Sequence, residues 1–249
     1  MLASWGINFP YPKPLLLVQY LVQVFSRHNT SDLVVDFFAG SGTTGHAVIA
    51  QNASDGGDRR WIAVQYPEPI ETTDEGPDST IVQLTIKRLR KAGEEIRARY
   101  PMFAGDTGFR VFKLDSTNIQ AWEPDREDLP GTLEDAIEHL KDGRTEQDIL
   151  YELLLKLGLD LCVPIERRDI AGKEVHAVGG GALLVCLAPR ISRVDVEELA
   201  NGIAAWFVEL APAGEATCVF RDSAFEDDVA KTNAAAILAQ RGLPHVRSL

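Results

Sequence analysis

Basic side chains are scarce in this chain of 249 residues: 25 Lys and Arg stand against 37 Asp and Glu, a net charge of −12. Phosphate backbones are bound by Lys and Arg, so the balance argues against a nucleic-acid platform acting by itself. The deficit is not uniform. Residues 1–60 hold four basic side chains (Lys13, Arg27, Arg59, Arg60) and four acidic ones (Asp32, Asp36, Asp55, Asp58), so the excess of acid lies downstream. Long apolar runs are also missing. The stretch 182–188 is among the longest and is far short of a membrane span, and no charged-then-apolar leader opens the sequence. A cytoplasmic protein without a membrane partner is expected. Cysteine appears only as Cys162, Cys186 and Cys218, odd in number, far apart and in apolar surroundings, so buried thiols are expected rather than a disulfide or a metal site.

What is present is 45% apolar content, ample for a core in one or two domains. The most informative stretch is an apolar, β-rich run at 33–38 followed directly by Ala39-Gly40-Ser41-Gly42-Thr43-Thr44-Gly45 and a helix-compatible segment from His46. Glycines at such a strand-to-helix turn let the backbone bend tightly and aim amides at a ligand. A triphosphate P-loop is excluded, because His46 and Ala47 stand where Lys and Ser or Thr are required. Gly40, Gly42 and Gly45 spell G-x-G-x-x-G, and a second strand at 61–65 follows at the spacing of a dinucleotide fold. That reading remains open, although Gln65 stands where an NAD site places an acid.

A pocket for S-adenosylmethionine (SAM) uses more of the residues, through the pattern D-x-F-x-G-x-G. Asp36 offers a carboxylate to an ammonium group, Phe38 an apolar wall, and Gly40, Ser41 and Gly42 a close backbone. Thr43 and Thr44 offer hydroxyl and amide donors to a carboxylate. His46 reads as a bystander on the first helical turn. Upstream, Phe9-Pro10-Tyr11-Pro12-Lys13-Pro14 reads as a stiff turn into a helix that starts at Pro14 and carries the apolar run 15–25, with Leu16, Tyr20 and Val24 on its buried face.

Together, the Lys13-Pro14 segment and the turn resemble the amino-methyltransferases of DNA bases. The strings DFFAGSGTTGHAV at 36–48, RRWIAVQYPEP at 59–69, GFRVFKLDS at 108–116, ILYELLLK at 149–156 and FRDSAFEDD at 220–228 resemble the adenine-specific modification subunits of type III restriction systems, over nearly the whole chain. The resemblance implies SAM as cofactor, bound by Lys13, Pro14, Asp36, Phe38, Gly40, Ser41, Gly42, Thr43 and Thr44, with Gln65 at the ribose. It also implies DNA and a restriction subunit as partners. The D/N/S-P-P-Y/F/W tetrapeptide that holds the flipped base in such enzymes does not occur here. By resemblance the chain is therefore a C-terminal portion without catalytic residues, which lacks an N-terminal catalytic and target-recognition half. A non-catalytic assembly fragment is the alternative, and an NAD-linked oxidoreductase a more distant one.

The expected fold is α/β: a partial Rossmann-like methyltransferase sheet at 1–121, a linker at 122–131, and an α/β assembly module at 132–249. Strands at 33–38, 61–65 and 109–114 would form a half-sheet with an unpaired side and exposed apolar faces, calling for a missing polypeptide or self-association. Lys87, Arg88, Arg90 and Lys91 read as a solvated basic face on a helix over 79–99. In the module, Thr145 and Asp148 form a capping box for a helix ended by Gly158. Strands are expected near 161–165, 173–178, 182–187 and 216–220, and helices near 192–207 and 226–240. Asp222, Glu226, Asp227 and Asp228 read as helix-start acids rather than a metal or nuclease centre.

Overall fold

The computed structural model describes residues 2–70, 80–120 and 140–249, in two compact units, Met1–Val111 and Phe112–Leu249. The anticipated linker at 122–131 lies outside the described residues.

In the first unit, β1 (Leu33–Asp36) pairs in parallel with β2 (Arg60–Ala63), with Val34 opposite Trp61 and Asp36 opposite Ala63. The crossover is α2 (Thr43–Asp55), whose Gly42 and Gly56 take left-handed conformations at its two ends. Among the described residues, only one face of this sheet is covered. Val34 and Trp61 pack with Val22, Ala47 and Val48, whereas Leu33, Val35 and Ile62 on the other face are exposed.

Helix α1 (Leu15–Phe25) begins one residue later than expected, with Pro14 as its N-cap. Its contact face is Leu15, Val18 and Val22, so the expectation for Leu16, Tyr20 and Val24 is corrected: all three are exposed, Leu16 at 78%. A helix hydrophobic nearly all round cannot reveal by periodicity which side meets the core. Helix α3 (Ile81–Arg99) starts at a capping box between Thr80 and Gln83, and buries Leu84, Leu89, Ala92 and Ile96. The anticipated third strand does not form. Among the described residues, 109–114 pair with no strand, and Phe109 instead sets its ring 6.0 Å from that of Trp61.

The second unit is a sandwich of helices around a five-stranded sheet in the order β3-β4-β5-β6-β7. These are β3 (Ile165–Ile170), β4 (Lys173–Val178), β5 (Leu183–Cys186), β6 (Thr217–Phe220) and β7 (His245–Ser248). The first three form an antiparallel meander, and β5, β6 and β7 run parallel. Helix α4 (Glu146–Lys156) carries the expected Thr145–Asp148 capping box and packs Ile149, Leu150, Leu153 and Leu154 against Leu183, Val185 and Val219. Helices α5 (Asp195–Leu210) and α6 (Asp228–Gln240) cover the opposite face, where Leu184, Cys186, Cys218 and Phe220 meet Leu199, Ile203, Trp206 and Leu238. Burial on both faces explains why 183–186 is apolar without alternation.

Two expectations in this unit are corrected. The first strand begins at Ile165 rather than occupying 161–165, because Asp160 holds the preceding residues in a turn, its side chain accepting from the Cys162 amide and its carbonyl from the Val163 amide. Cys162 is exposed, whereas Cys186 and Cys218 are buried and burial raises both thiol pKa values. The acids near 222–228 serve structure. Asp227 caps α6 through the Ala230 amide and pairs with Arg193, and Asp222 pairs with Lys231. Among the described residues no His, Cys, Asp and Glu grouping suits a metal ion, and no helix is long and apolar enough to cross a membrane.

Candidate functional site

The turn between β1 and α2 is built by backbone bonds that fold it over the end of β2. Val64 donates to the Asp36 carbonyl at 2.8 Å, Ala39 donates to the Val64 carbonyl at 3.0 Å, and Gly42 closes a tight turn onto the Ala39 carbonyl at 2.8 Å. Gly40 and Gly42 have φ of 50° and 76°, the left-handed region that glycine enters without penalty. The glycines also serve packing. A Cβ at Gly42 would lie 3.0 Å from Thr85 Cγ2, and one at Gly45 would lie 2.8 Å from Leu89 Cδ2, so α2 and α3 approach closely because those side chains are absent.

Asp36 governs the mouth of the turn. One carboxylate oxygen accepts from the Phe38 amide at 3.0 Å and the other from the Thr44 hydroxyl at 2.6 Å. Two donors leave acceptor capacity on a carboxylate for a further cationic group. Phe38 beside it is 89% exposed. The first-turn amides of α2, from Thr43 to Gly45, belong to the set that a helix leaves without internal partners.

Gln65 reaches the same turn, but in a bracing role. Its Oε1 accepts from the Gly40 amide at 2.8 Å and its Nε2 donates to the Tyr66 carbonyl at 2.9 Å. From the other side the Thr85 hydroxyl donates to the Gly40 carbonyl at 2.5 Å. Phe9 also reaches Gly40, its ring lying 3.6 Å from where a Cβ would be. The segment leading to Lys13 and Pro14 thus starts beside the turn. Lys13 itself is exposed and Pro14 caps α1, and neither is hydrogen-bonded to the turn among the described residues.

Arg88 is the residue that the reading of α3 as a solvated basic face misplaced. It is 2% exposed, and its Nη1 donates to Ser41 Oγ and Thr43 Oγ1, each at 2.7 Å, and reaches the Ser41 carbonyl at 3.4 Å. Burial pulls its pKa down to about 10, still fully charged at neutral pH. A signal was available: Arg88 lies four residues after Leu84 and four before Ala92, both buried, so helical spacing puts it on the core side.

His46 lies beside it, buried, with its ring 5.8 Å from that of Trp5. Burial first, and the Arg88 charge second, hold its pKa at about 4. The imidazole is therefore neutral at neutral pH, as suits a packed bystander. The unfolded chain binds this proton near pH 6.5 and the folded one only near 4. The first unit should therefore lose on the order of 2–3 kcal/mol as pH falls from 6.5 through 4. His46→Gln should flatten that dependence in urea unfolding measured from pH 7 to pH 4, and an unchanged slope would contradict this assignment.

Residues 4–69, which contain the whole turn, match the family model of DNA methylases. The chain is similar to modification subunits of type III restriction-modification enzymes. It is 32% identical over 118 residues to the StyLTI Mod subunit of Salmonella typhimurium, covering 46% of this chain and 18% of the relative. It is 29% identical over 185 residues to the EcoPI Mod subunit of Escherichia phage P1, covering 71% of this chain and 27% of the relative. It is also 37% identical over 84 residues to the type II methyltransferase M.KpnI of Klebsiella pneumoniae, covering 32% of this chain and 20% of that protein. The chain thus spans between 18% and 27% of the length of these relatives, and the phage match extends over 71% of it.

Proposed function

We propose that this chain is the SAM-binding and C-terminal region of a DNA adenine-N6 methyltransferase resembling a type III modification subunit. The observation that carries the reading is the Asp36 turn, a strand-end carboxylate and the open N-terminus of α2 meeting within the segment that matches DNA methylases. The donor set fits SAM. Asp36 receives the ammonium group, and the amides of Thr43 and Thr44 with the Thr43 hydroxyl receive the carboxylate, the Thr44 hydroxyl being held by Asp36. Phe38 covers the apolar part, Gly40, Ser41 and Gly42 keep the backbone close, and Lys13 and Pro14 close the pocket from the start of α1. Gln65 braces Gly40 and borders the ribose.

When bound, SAM would supply an electrophilic methyl group on its sulfonium for transfer to the amino nitrogen of a flipped adenine, with S-adenosylhomocysteine and a proton released. The part of this chain is to bind, orient and shield, which is where most of the rate advantage of such a transfer arises. The base-holding tetrapeptide is absent from the sequence. Methylation of DNA therefore requires a polypeptide that carries it, docked on the uncovered face of the half-sheet beside Leu33, Val35 and Ile62. In this reading the sheet is the SAM-side half of a Rossmann-like fold, and the second unit is an assembly module that meets other modification subunits or a restriction subunit.

Ultraviolet cross-linking with methyl-labelled SAM tests the site. Label should enter peptides spanning 9–14 or 36–45 and be displaced by S-adenosylhomocysteine but not by NADH. Label confined to the second unit, or displaced by NADH, would contradict the proposal.

A further inference from the structure

Arg88 is a buried cation whose acceptors are all neutral. Its three contacts are two hydroxyl oxygens and a carbonyl, its Nε has no acceptor, and no carboxylate lies within ion-pair distance among the described residues. Removing a charge from water without an opposite partner costs several kcal/mol, so a guanidinium kept in this state needs a reason. The α2 N-terminus beside it carries the positive end of the helix dipole, His46 is neutral, and the Asp36 carboxylate of the same turn bonds to Phe38 and Thr44 rather than to Arg88. A guanidinium only donates, so Ser41 and Thr43 must accept from it; their oxygens lie 3.2 Å apart and share one hydrogen bond, which leaves one hydroxyl hydrogen for a further acceptor. The arrangement is a positive charge, a linked pair of hydroxyls with one hydrogen to offer, and the first amides of α2, all at one turn.

We infer that Arg88 is a positioning residue that selects the carboxylate end of the cofactor, acting through Ser41 and Thr43 on the α2 N-terminus without touching the ligand. The inference rests on the SAM reading above. When an anionic group arrives at the turn it supplies the counter-charge that Arg88 lacks, and the same grip fixes the direction of the amides that receive it. Arg88 therefore sets discrimination between adenosyl compounds with and without the amino-acid moiety. Lysine is not equivalent, because an ammonium lacks the planar fork that spans both hydroxyls.

The test compares two ligands on the full chain, S-adenosylhomocysteine and 5′-methylthioadenosine, which lacks the carboxylate and the ammonium group. Arg88→Met should weaken S-adenosylhomocysteine at least about tenfold while changing 5′-methylthioadenosine less than about threefold, and Arg88→Lys should fall between Arg88→Met and the wild type. Should Arg88→Met fail to fold, as read by circular dichroism, Arg88→Lys decides by the same ratio. Equal losses for both ligands would make Arg88 a structural brace and overturn the inference, as would unchanged affinity for both. A wild-type chain that is folded yet binds neither compound would overturn the SAM reading and this inference with it, a result distinct from the other two.

Discussion

Replacing Asp36 with alanine is expected to weaken S-adenosylhomocysteine binding by a factor of about 100 or more. The carboxylate does two things at once. It accepts from Phe38 and Thr44, tying the end of β1 to the first turn of α2, and its remaining lone pairs face the ligand's ammonium group in the proposed site. Charge-assisted hydrogen bonds of this kind are worth about 1.5–3 kcal/mol each, and about 2.7 kcal/mol is a factor of 100 in affinity. Asp36→Asn separates the two roles. It keeps an acceptor for the turn but loses the charge, so the fold of the first unit should persist while most of the affinity disappears. Isothermal titration of both variants reads the result. Affinity retained by Asp36→Ala would remove the carboxylate from the site, and affinity retained by Asp36→Asn alone would reduce it to a turn-former.

The largest loss of stability is expected in the second unit, at Phe220. Its side chain is 1% exposed at the end of β6, with its ring 5.4 Å from that of Phe225 and α5 and α6 packed over the same face. Truncation to alanine in such a position removes the transfer energy of the ring and leaves a cavity that a close-packed sheet cannot collapse, about 3–5 kcal/mol in total. Urea unfolding followed by circular dichroism should show the transition of this unit shifted by that amount. Phe220→Leu should recover most of it. A loss below about 1 kcal/mol for the alanine variant would mean that the core around β6 is not the close-packed layer described here.

How much of this was legible from sequence varied with how local the cause was. The strand, glycine turn and helix from Leu33 to Asp55 were readable because β-rich residues, two left-handed glycines and a helical segment follow one another within a few residues. The Thr145–Asp148 capping box was readable for the same reason. The strands buried on both faces announced themselves as unbroken apolar runs. Edge strands did not: β3 reads Ile-Glu-Arg-Arg-Asp-Ile and β7 His-Val-Arg-Ser, polar sequences that form strands because a neighbour supplies the pairing. Residues 109–114 erred in the opposite direction, having β-prone residues but no ladder to join.

Within the site, the pattern identified the residues but not how they are used. Asp36, Phe38, Gly40, Ser41, Gly42, Thr43 and Thr44 form one continuous turn, as a linear motif must. That Gln65 braces Gly40 and that Arg88 grips Ser41 and Thr43 depends on long-range packing of β2 and α3, which no local pattern encodes. Charge clustering pulled Arg88 into a basic face with Lys87, Arg90 and Lys91, although helical spacing from Leu84 pointed inward. When the two conflict at a single cation, periodicity deserves the greater weight if neutral acceptors from another element are available to receive it.

The central claim is that the turn at Asp36 holds SAM, and calorimetric titration of the purified chain with SAM, beside NAD, measures it most directly. One SAM should bind saturably per chain, and NAD should give no heat. A well-folded chain that takes up NAD, or that gives no saturable heat with SAM, would contradict that claim.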